Sequence, residues 1–261
     1  MRRYFAAKHE GDAQLKKTNS VHVNFGYHSE ADAIMKMQTL FAVAPVLSAM
    51  FANSPLNCGR FTGNMGNRLR VGQNFEPERN RVREAFFAED FSFESWIDYV
   101  CSLPMIYIER DGQQILLQGK TFTEFIRNGH DGYRARVKDF SLHLKSCWTE
   151  IKLKNWLELR SIDCVPPHLI PSIPALVRGI TRNTAVMHEV RDLMSRYNFV
   201  EYCEIRDAAN KDALAASLPD GRKLLTIAKA LLEVASASLK EYHDEVRGSA
   251  DASRLLWPIK E

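Results

Sequence analysis

Two stretches of the chain alternate apolar and polar residues at period two. From Ile151 to Arg160, one side carries Ile151, Leu153, Leu157 and Leu159, and the other Lys152, Lys154, Trp156, Glu158 and Arg160. That is the pattern of a half-buried β-strand. Asn19 to Tyr27 repeats it, with Val21, Val23, Phe25 and Tyr27 opposed to Ser20, His22, Asn24 and Gly26. "MIYIERDGQQILL" predicts a hairpin turning at Asp111-Gly112, a dipeptide suited to two positive φ angles. Elsewhere the period becomes helical. Ser29 and Asp32 form an S-x-x-D start for a helix to about Phe51, which Pro45 should kink or end early. Short helices are predicted at Phe91 to Leu103, in "TFTEFIRNG" with Gly129 as its stop, and from Asp139 to Cys147. Asn53 to Gly72, rich in Gly and Asn, reads as a long loop. Past the prolines at 166, 167, 171 and 174 the last third reads as helical, over Asn183 to Asn198 and Arg222 to Val246.

The composition changes this picture little. The chain has 261 residues, 45% hydrophobic and 26% charged, enough for a substantial core. Its net charge of +3 gives no field that calls for nucleic acid. The basic cluster between Arg60 and Arg83 suits an anionic small molecule better than a duplex. Five widely spaced cysteines with no C-x-x-C pair argue against a disulfide framework or a thiolate zinc site, and for reduced thiols in the cytoplasm. No apolar run approaches the ~20 residues of a membrane span, and "MRRYFAAKHEGDAQ" has no apolar leader core, so neither membrane insertion nor secretion is expected. No feature of the sequence sets an oligomeric state.

The chemistry concentrates on the two polar strand faces. Residues two apart on a strand are separated by roughly 6.6 Å, so Glu158 and Arg160 can reach one ligand without neutralising each other. The plainer alternative is a solvated outer face of an antiparallel sheet.

Several stretches, in order, resemble the glutamate–cysteine ligase family. They are "SVHVNF" (20–25), "SEAD" (29–32), "LFAVAPVLSAMFANSP" (40–55), "NRLRV" and "ERNR" (67–81), "YVCSLPM" (99–105), "HL" at 143 and "IKLKNWLELRSID" (151–163). The likeness runs from about Arg3 to Ile180 and is closest to the bacterial and plant type. It implies an α+β fold of the glutamine synthetase-like superfamily, a curved antiparallel sheet forming a funnel with helices outside. Residues 1–182 would be a partial catalytic domain, and 183–261 a helical region packed on it. The implied enzyme uses ATP and magnesium to phosphorylate the side-chain carboxylate of glutamate. The amine of cysteine then displaces phosphate, giving γ-glutamylcysteine on the route to glutathione.

Carried over residue by residue, Glu158 falls where the family's E-x-R motif places a metal-binding carboxylate, and Arg160 where it places a cation facing nucleotide phosphates. Both roles suit the side chains. His22 falls at a histidine near the metal–nucleotide centre, either a ligand or a hydrogen-bonding neighbour; imidazole suits manganese better than magnesium. Asn24 would orient substrate or metal-bound water. Arg68 matches an arginine holding the glutamate α-carboxylate, against the alternative of a solvated loop cation, and Arg79 matches a second arginine after it. Tyr99 and Met105 read as packing and His143 as structural. The family's N-terminal strand of spaced glutamates has no counterpart, since the only E-x-E is Glu76-Pro77-Glu78, interrupted by proline. The resemblance therefore implies a chain lacking that part. Gly72 and Gly26 replace a tryptophan and an aspartate of many relatives, which leaves the acceptor amine open. Two other readings stand beside the ligase: a non-catalytic accessory protein derived from one, and a helical interaction module.

Overall fold

The computed structural model describes residues 4, 5, 11, 16–117, 119–246 and 250–259. Most of the polar opening stretch, where the sequence reading finds no leader, lies outside the described residues. In chain order the elements are β1 (Val23–Phe25), α1 (Glu30–Met50), β2 (Leu56–Asn57), β3 (Arg60–Phe61), α2 (Asn67–Phe75), α3 (Pro77–Asn80) and α4 (Phe93–Ser102). Then come β4 (Tyr107–Arg110), β5 (Gln113–Leu116), α5 (Phe122–Asn128), α6 (Val137–Leu144), β6 (Ile151–Leu153) and β7 (Leu157–Leu159). Four α-helices follow, α7 (Ser172–Ile180), α8 (Thr184–Asp192), α9 (Phe199–Asp212) and α10 (Leu224–Glu245), and a 3-10 helix at Ala252–Ile259 comes after them. The mixture is α+β. The sheet is a three-stranded antiparallel one in the order β1-β7-β6, with two separate two-stranded hairpins.

The stretch from Ile151 to Arg160 is a tight hairpin, not one strand. Ile151 pairs with Leu159, Lys152 with Glu158 and Leu153 with Leu157. Because partners share parity, folding the strand back keeps both faces intact: the aliphatic set stays together and Lys152 stays beside Glu158. On the other side of β7, Asn24 lies opposite Glu158 and Val23 opposite Leu159. The next bridge joins Ser20 to Asp163, so three steps along one chain match four along the other. One extra residue therefore bulges between Leu159 and Ile162.

The aliphatic face of the hairpin packs on α1, within a core that also takes residues of α7 to α10. At 21 residues α1 is long and apolar enough to cross a membrane, which the sequence reading did not anticipate, yet 78% of that stretch is buried inside the protein. It also runs straight through Pro45. Proline has no N–H, so the Phe41 carbonyl one turn earlier loses its helical donor. Tyr202 of α9 supplies the replacement, its hydroxyl donating to the Phe41 oxygen at 2.7 Å. A distant helix thus repairs the defect that the sequence places inside α1.

Other elements follow local chemistry. Asp111 and Gly112 both take positive φ in the β4–β5 turn, as a type I′ turn requires. Thr121 and Glu124 cap α5 reciprocally, and Gly129 ends it at φ 64°. The expected loop from Asn53 to Gly72 is more ordered than its composition suggests: β2–β3 forms its first half and α2 begins at Asn67. Glycine at 72 lowers helix propensity, but Leu69, Val71 and Phe75 bury the helix and outweigh it.

Tyr202→Phe keeps the ring and removes only the donor, so urea unfolding should show a loss of about 1–3 kcal/mol. In a Pro45→Ala background, where the backbone N–H returns, that loss should shrink by at least half; an equal loss in both backgrounds would refute the repair.

Candidate functional site

The polar face of the β1-β7-β6 sheet brings Lys152, Glu158, Asn24 and His22 to one side. β7 is buried along its length, whereas Asn24 and His22 on the edge strand are exposed. Glu158 is only 6% exposed. Lys154 pairs with its Oε2, and Arg160 Nη1 with Oε1 at 2.5 Å. The expectation that Glu158 and Arg160 would leave each other free is thus not met. Two residues on along the same face, the Arg160 side chain reaches back to Glu158, and a carboxylate at this depth needs compensation. Burial alone would raise the Glu158 pKa, but the Lys154 and Arg160 hydrogen bonds and charges overcome it and hold the carboxyl below its usual range.

The rest of the face is cationic and hydrogen-bonded. Lys152, buried, donates to the Lys145 carbonyl at 3.0 Å; desolvation pulls its pKa down to about 8, with Arg160 and Lys154 adding repulsion. Asn24 accepts from the Trp156 indole at 2.9 Å, and the Lys154 ammonium lies 5.2 Å from that ring's centre. His22 Nε2 lies 2.9 Å from Ser20 Oγ. Although His22 is exposed, enough protein surrounds the imidazole for desolvation to lead in lowering its pKa to about 4, with the Arg160 charge next. It is therefore neutral at physiological pH, the form that accepts a hydrogen bond or ligates a metal.

Arg68 sits on α2 rather than in a loop. Its Nε pairs with Asp163 Oδ1 at 2.8 Å and its Nη2 donates to the Arg160 carbonyl at 2.9 Å, so it braces the bulge from behind. Arg79 is away from this face: it is buried, pairs with Glu76, donates to the Pro104 carbonyl and reaches Ser146 Oγ at 2.9 Å. With those donors engaged, its direct role is to tie α3 to the segments after α4 and α6. Tyr99 and Met105 are packed in cores, and His143 is buried with Nε2 2.8 Å from the Val100 carbonyl, as expected of structural residues.

Among the described residues no group of three His, Cys, Asp or Glu is placed to hold a metal. One carboxylate, with both oxygens paired to cations, and one imidazole fall short of the six-oxygen set magnesium prefers. The described part of this chain does not by itself fit that ion. A groove of about 1210 Å³ between α1, residues 84–91 and the α8–α9 region is larger, but it shares no lining residue with the polar face. We place the chemistry on the sheet because charge and register converge there.

Sequence reasoning missed Asp163, Lys152, and a buried polar group behind the sheet formed by Glu150, Gln73, Arg206 and Asn210. Lys152 was legible, since it shares the face of Glu158. The grouping was not, because its members come from three segments, around Gln73, Glu150 and Arg206 to Asn210, each more than 50 residues from the next.

Fold and site together define an α+β protein with a cation-rich, sheet-borne face suited to anionic ligands. The family model described as Glutamate-cysteine ligase family 2 (GCS2) matches residues 2–261, and the chain belongs to that family. It is 28% identical to the chloroplastic glutamate–cysteine ligase of Brassica juncea over 229 residues, 87% of this chain and 44% of that protein. For the chloroplastic enzyme of Arabidopsis thaliana the identity is 28% over 244 residues, 92% and 46% of the two chains. Glutamate–cysteine ligase B of Oryza sativa is 27% identical over 208 residues, 78% and 42%. The chain spans less than half the length of these relatives.

Titration of His22 by NMR should give a midpoint near 4. Arg160→Ala should raise it without restoring 6.5, since desolvation is the larger cause. The ordinary value, taken for the unfolded chain, lies above the folded one, so the unfolded state takes up the proton first as pH falls through this window. His22 accordingly withdraws stability between about 6.5 and about 4 and nothing further below. A wild-type midpoint above 6 would contradict the crowding around this imidazole.

Proposed function

We propose that the chain is part of an ATP- and magnesium-dependent ligase that joins the side-chain carboxylate of glutamate to the amine of cysteine. The observation that carries this is the trio Lys152, Lys154 and Arg160 around the single carboxylate Glu158, on a face flanked by a neutral imidazole. Cations held by short strands in a half-buried site bind phosphate oxygens strongly, because surrounding protein weakens solvent screening. In this reading the sheet is one wall of the family's funnel. Among the described residues no three-residue carboxylate cluster completes a magnesium site on this face.

The proposed reaction has two transfers. An oxygen of the glutamate side chain attacks the γ-phosphorus of ATP and ADP leaves, giving an acyl phosphate. The amine nitrogen of cysteine then attacks the acyl carbon, phosphate leaves, and the nitrogen loses a proton. Arg160 faces the transferring phosphoryl group, and Arg68, through the Arg160 carbonyl, fixes where that residue sits. A polyanion that draws Lys154 and Arg160 toward itself also releases the Glu158 oxygens for a cationic partner. The segment containing β2–β3 is the candidate cover that keeps water from the acyl phosphate. Gly72, buried on α2 beside the site, leaves room for an amine other than cysteine. The five free thiols fit the reducing cytoplasm, whereas the plant relatives are named chloroplastic.

One observation favours a second reading. With Glu158 sealed by two cations and no three-residue metal cluster among the described residues, the chain also fits a non-catalytic accessory protein descended from such a ligase.

Calorimetry of the purified chain should detect ATP binding, weakened roughly tenfold or more by Arg160→Ala, and Glu158→Gln should abolish the gain in affinity that magnesium gives. Nucleotide affinity indifferent to both substitutions would remove the ligase reading. Phosphate release on adding glutamate and cysteine separates enzyme from accessory protein.

A further inference from the structure

The groove of about 1210 Å³ between α1, residues 84–91 and the α8–α9 region takes no part in the chemistry assigned above. Its walls are tied in place by hydrogen bonds. Gln38 of α1, itself buried, donates from Nε2 to the Ala88 carbonyl at 2.8 Å and holds one wall. The Tyr202 hydroxyl, donating to the Phe41 carbonyl, holds the other. The groove is therefore built into the fold, and a guest meets a preformed surface, which lowers the ordering cost of binding.

The floor is apolar and aromatic. Phe87 lies edge-on to Tyr202 with ring centres 5.3 Å apart, Phe199 stacks on the same tyrosine, and Ile34, Met35 and Met194 complete the surface. Ile34, Met35, Phe87 and Phe199 are only half-buried, so contiguous apolar area stays in contact with water. Such a patch marks an interaction site, and methionine among rings adapts to side chains of varied shape. The volume exceeds the roughly 300–1,000 Å³ of small-molecule pockets, which suits a segment of chain better than a metabolite.

The rim carries a sign. Glu30, Glu84, Glu89 and Asp192 border the groove against one guanidinium, Arg191, and one imidazole, His188, an excess of at least two negative charges. Glu84, Glu89 and Asp192 are exposed, and their carboxylates make no ion pair among the described residues. Arg191 is engaged at the floor, its Nη1 lying 3.6 Å from Met35 Sδ. An acidic rim around an apolar floor repels anionic lipid and nucleic acid, and complements a surface with an apolar centre and cationic flanks. An amphipathic helix bearing Lys and Arg has that form.

We propose that this groove docks a basic amphipathic helix of another protein, its apolar stripe on Phe87, Phe199 and Met35 and its cations beside Glu84, Glu89 and Asp192. The proposal stands apart from the ligase reading, since none of these residues belongs to the sheet.

The probe is a peptide of about 18 residues, leucine and lysine only, with leucines at i, i+3, i+4 and i+7. Titrated into the full chain and followed by fluorescence anisotropy, it should bind saturably and more weakly as salt is added. The same peptide with glutamate for lysine should bind at least about tenfold less tightly. Glu84→Lys combined with Glu89→Lys, both at exposed positions, should weaken the lysine peptide by about tenfold or more, and Phe199→Ser should do likewise by removing a ring from the floor. The comparison of the two peptides requires no variant, so it stands whether or not the variants fold. Absence of saturable binding, equal affinity for both peptides, or an affinity that the folded charge-reversal variant leaves unchanged would overturn the proposal. A dimer of the chain that the same charge reversal dissociates would also overturn it and give the groove to a second copy.

Discussion

The register that sets Asn24 opposite Glu158 is the constraint on which the rest depends. A slip of one residue would send Glu158 into the aliphatic core and Leu157 or Leu159 to the polar face. Burial makes that exchange prohibitive: Leu157 and Leu159 are fully enclosed against the helical core, and an unpaired carboxylate there would lose several kcal/mol of solvation. The strands are only three residues long, so their own ladder cannot enforce the register. The α1 helix beneath them does.

That dependence explains why so much of the chain is helix far from the polar face. α1 is buried on nearly all sides from Met37 to Ala49, and mostly apolar there, because the sheet, α8, α9 and α10 all pack on it. A helix enclosed so completely gives little periodic clue to which side meets which partner. The hydrogen bond from Tyr202 to the Phe41 carbonyl adds direction where hydrophobic contact alone has little, since it accepts a single placement of α9 along α1. α9 also carries Arg206 and Asn210, so the bond that mends the proline break locates the charges behind Glu150 as well. Sheet chemistry and helix packing are in this sense one arrangement.

How much the sequence revealed follows the range of the interactions. The β4–β5 turn, the α5 caps and the two strand faces are encoded by residues within a few positions of one another, and each is where its pattern put it. Parity even protected the polar face from mistaking a hairpin for one strand. Reading failed where distant residues decide. Pro45 looks like a break because its remedy lies at Tyr202; α2 looks like loop because its stability comes from burial rather than propensity. Arg68 and Arg79 looked alike as arginines matched to substrate-holding positions. Arg68 turned out to brace Arg160 through its backbone, and Arg79 to tie core segments together, outcomes set by Asp163 and by Glu76, Ser146 and Pro104. Glu150 continues the alternation of Lys152 and Lys154, but its partners Gln73 and Arg206 lie far away in sequence.

The pairing of Glu158 with two cations bears on how such a face works. Each of those ion pairs is partly desolvated, so pulling it apart into empty space would be expensive, whereas exchanging one partner for another of like sign costs little. A phosphate approaching Lys154 and Arg160 replaces one anion by another, and a cation arriving at Glu158 completes the exchange. Closed on itself, the face keeps an excess positive charge, two cations on one carboxylate, which an arriving anion would offset. An anion without its cation leaves Glu158 facing phosphate across a few ångströms, a repulsion the half-buried setting does little to screen. The charge state of this face is therefore set by three side chains and their burial, Lys154, Glu158 and Arg160.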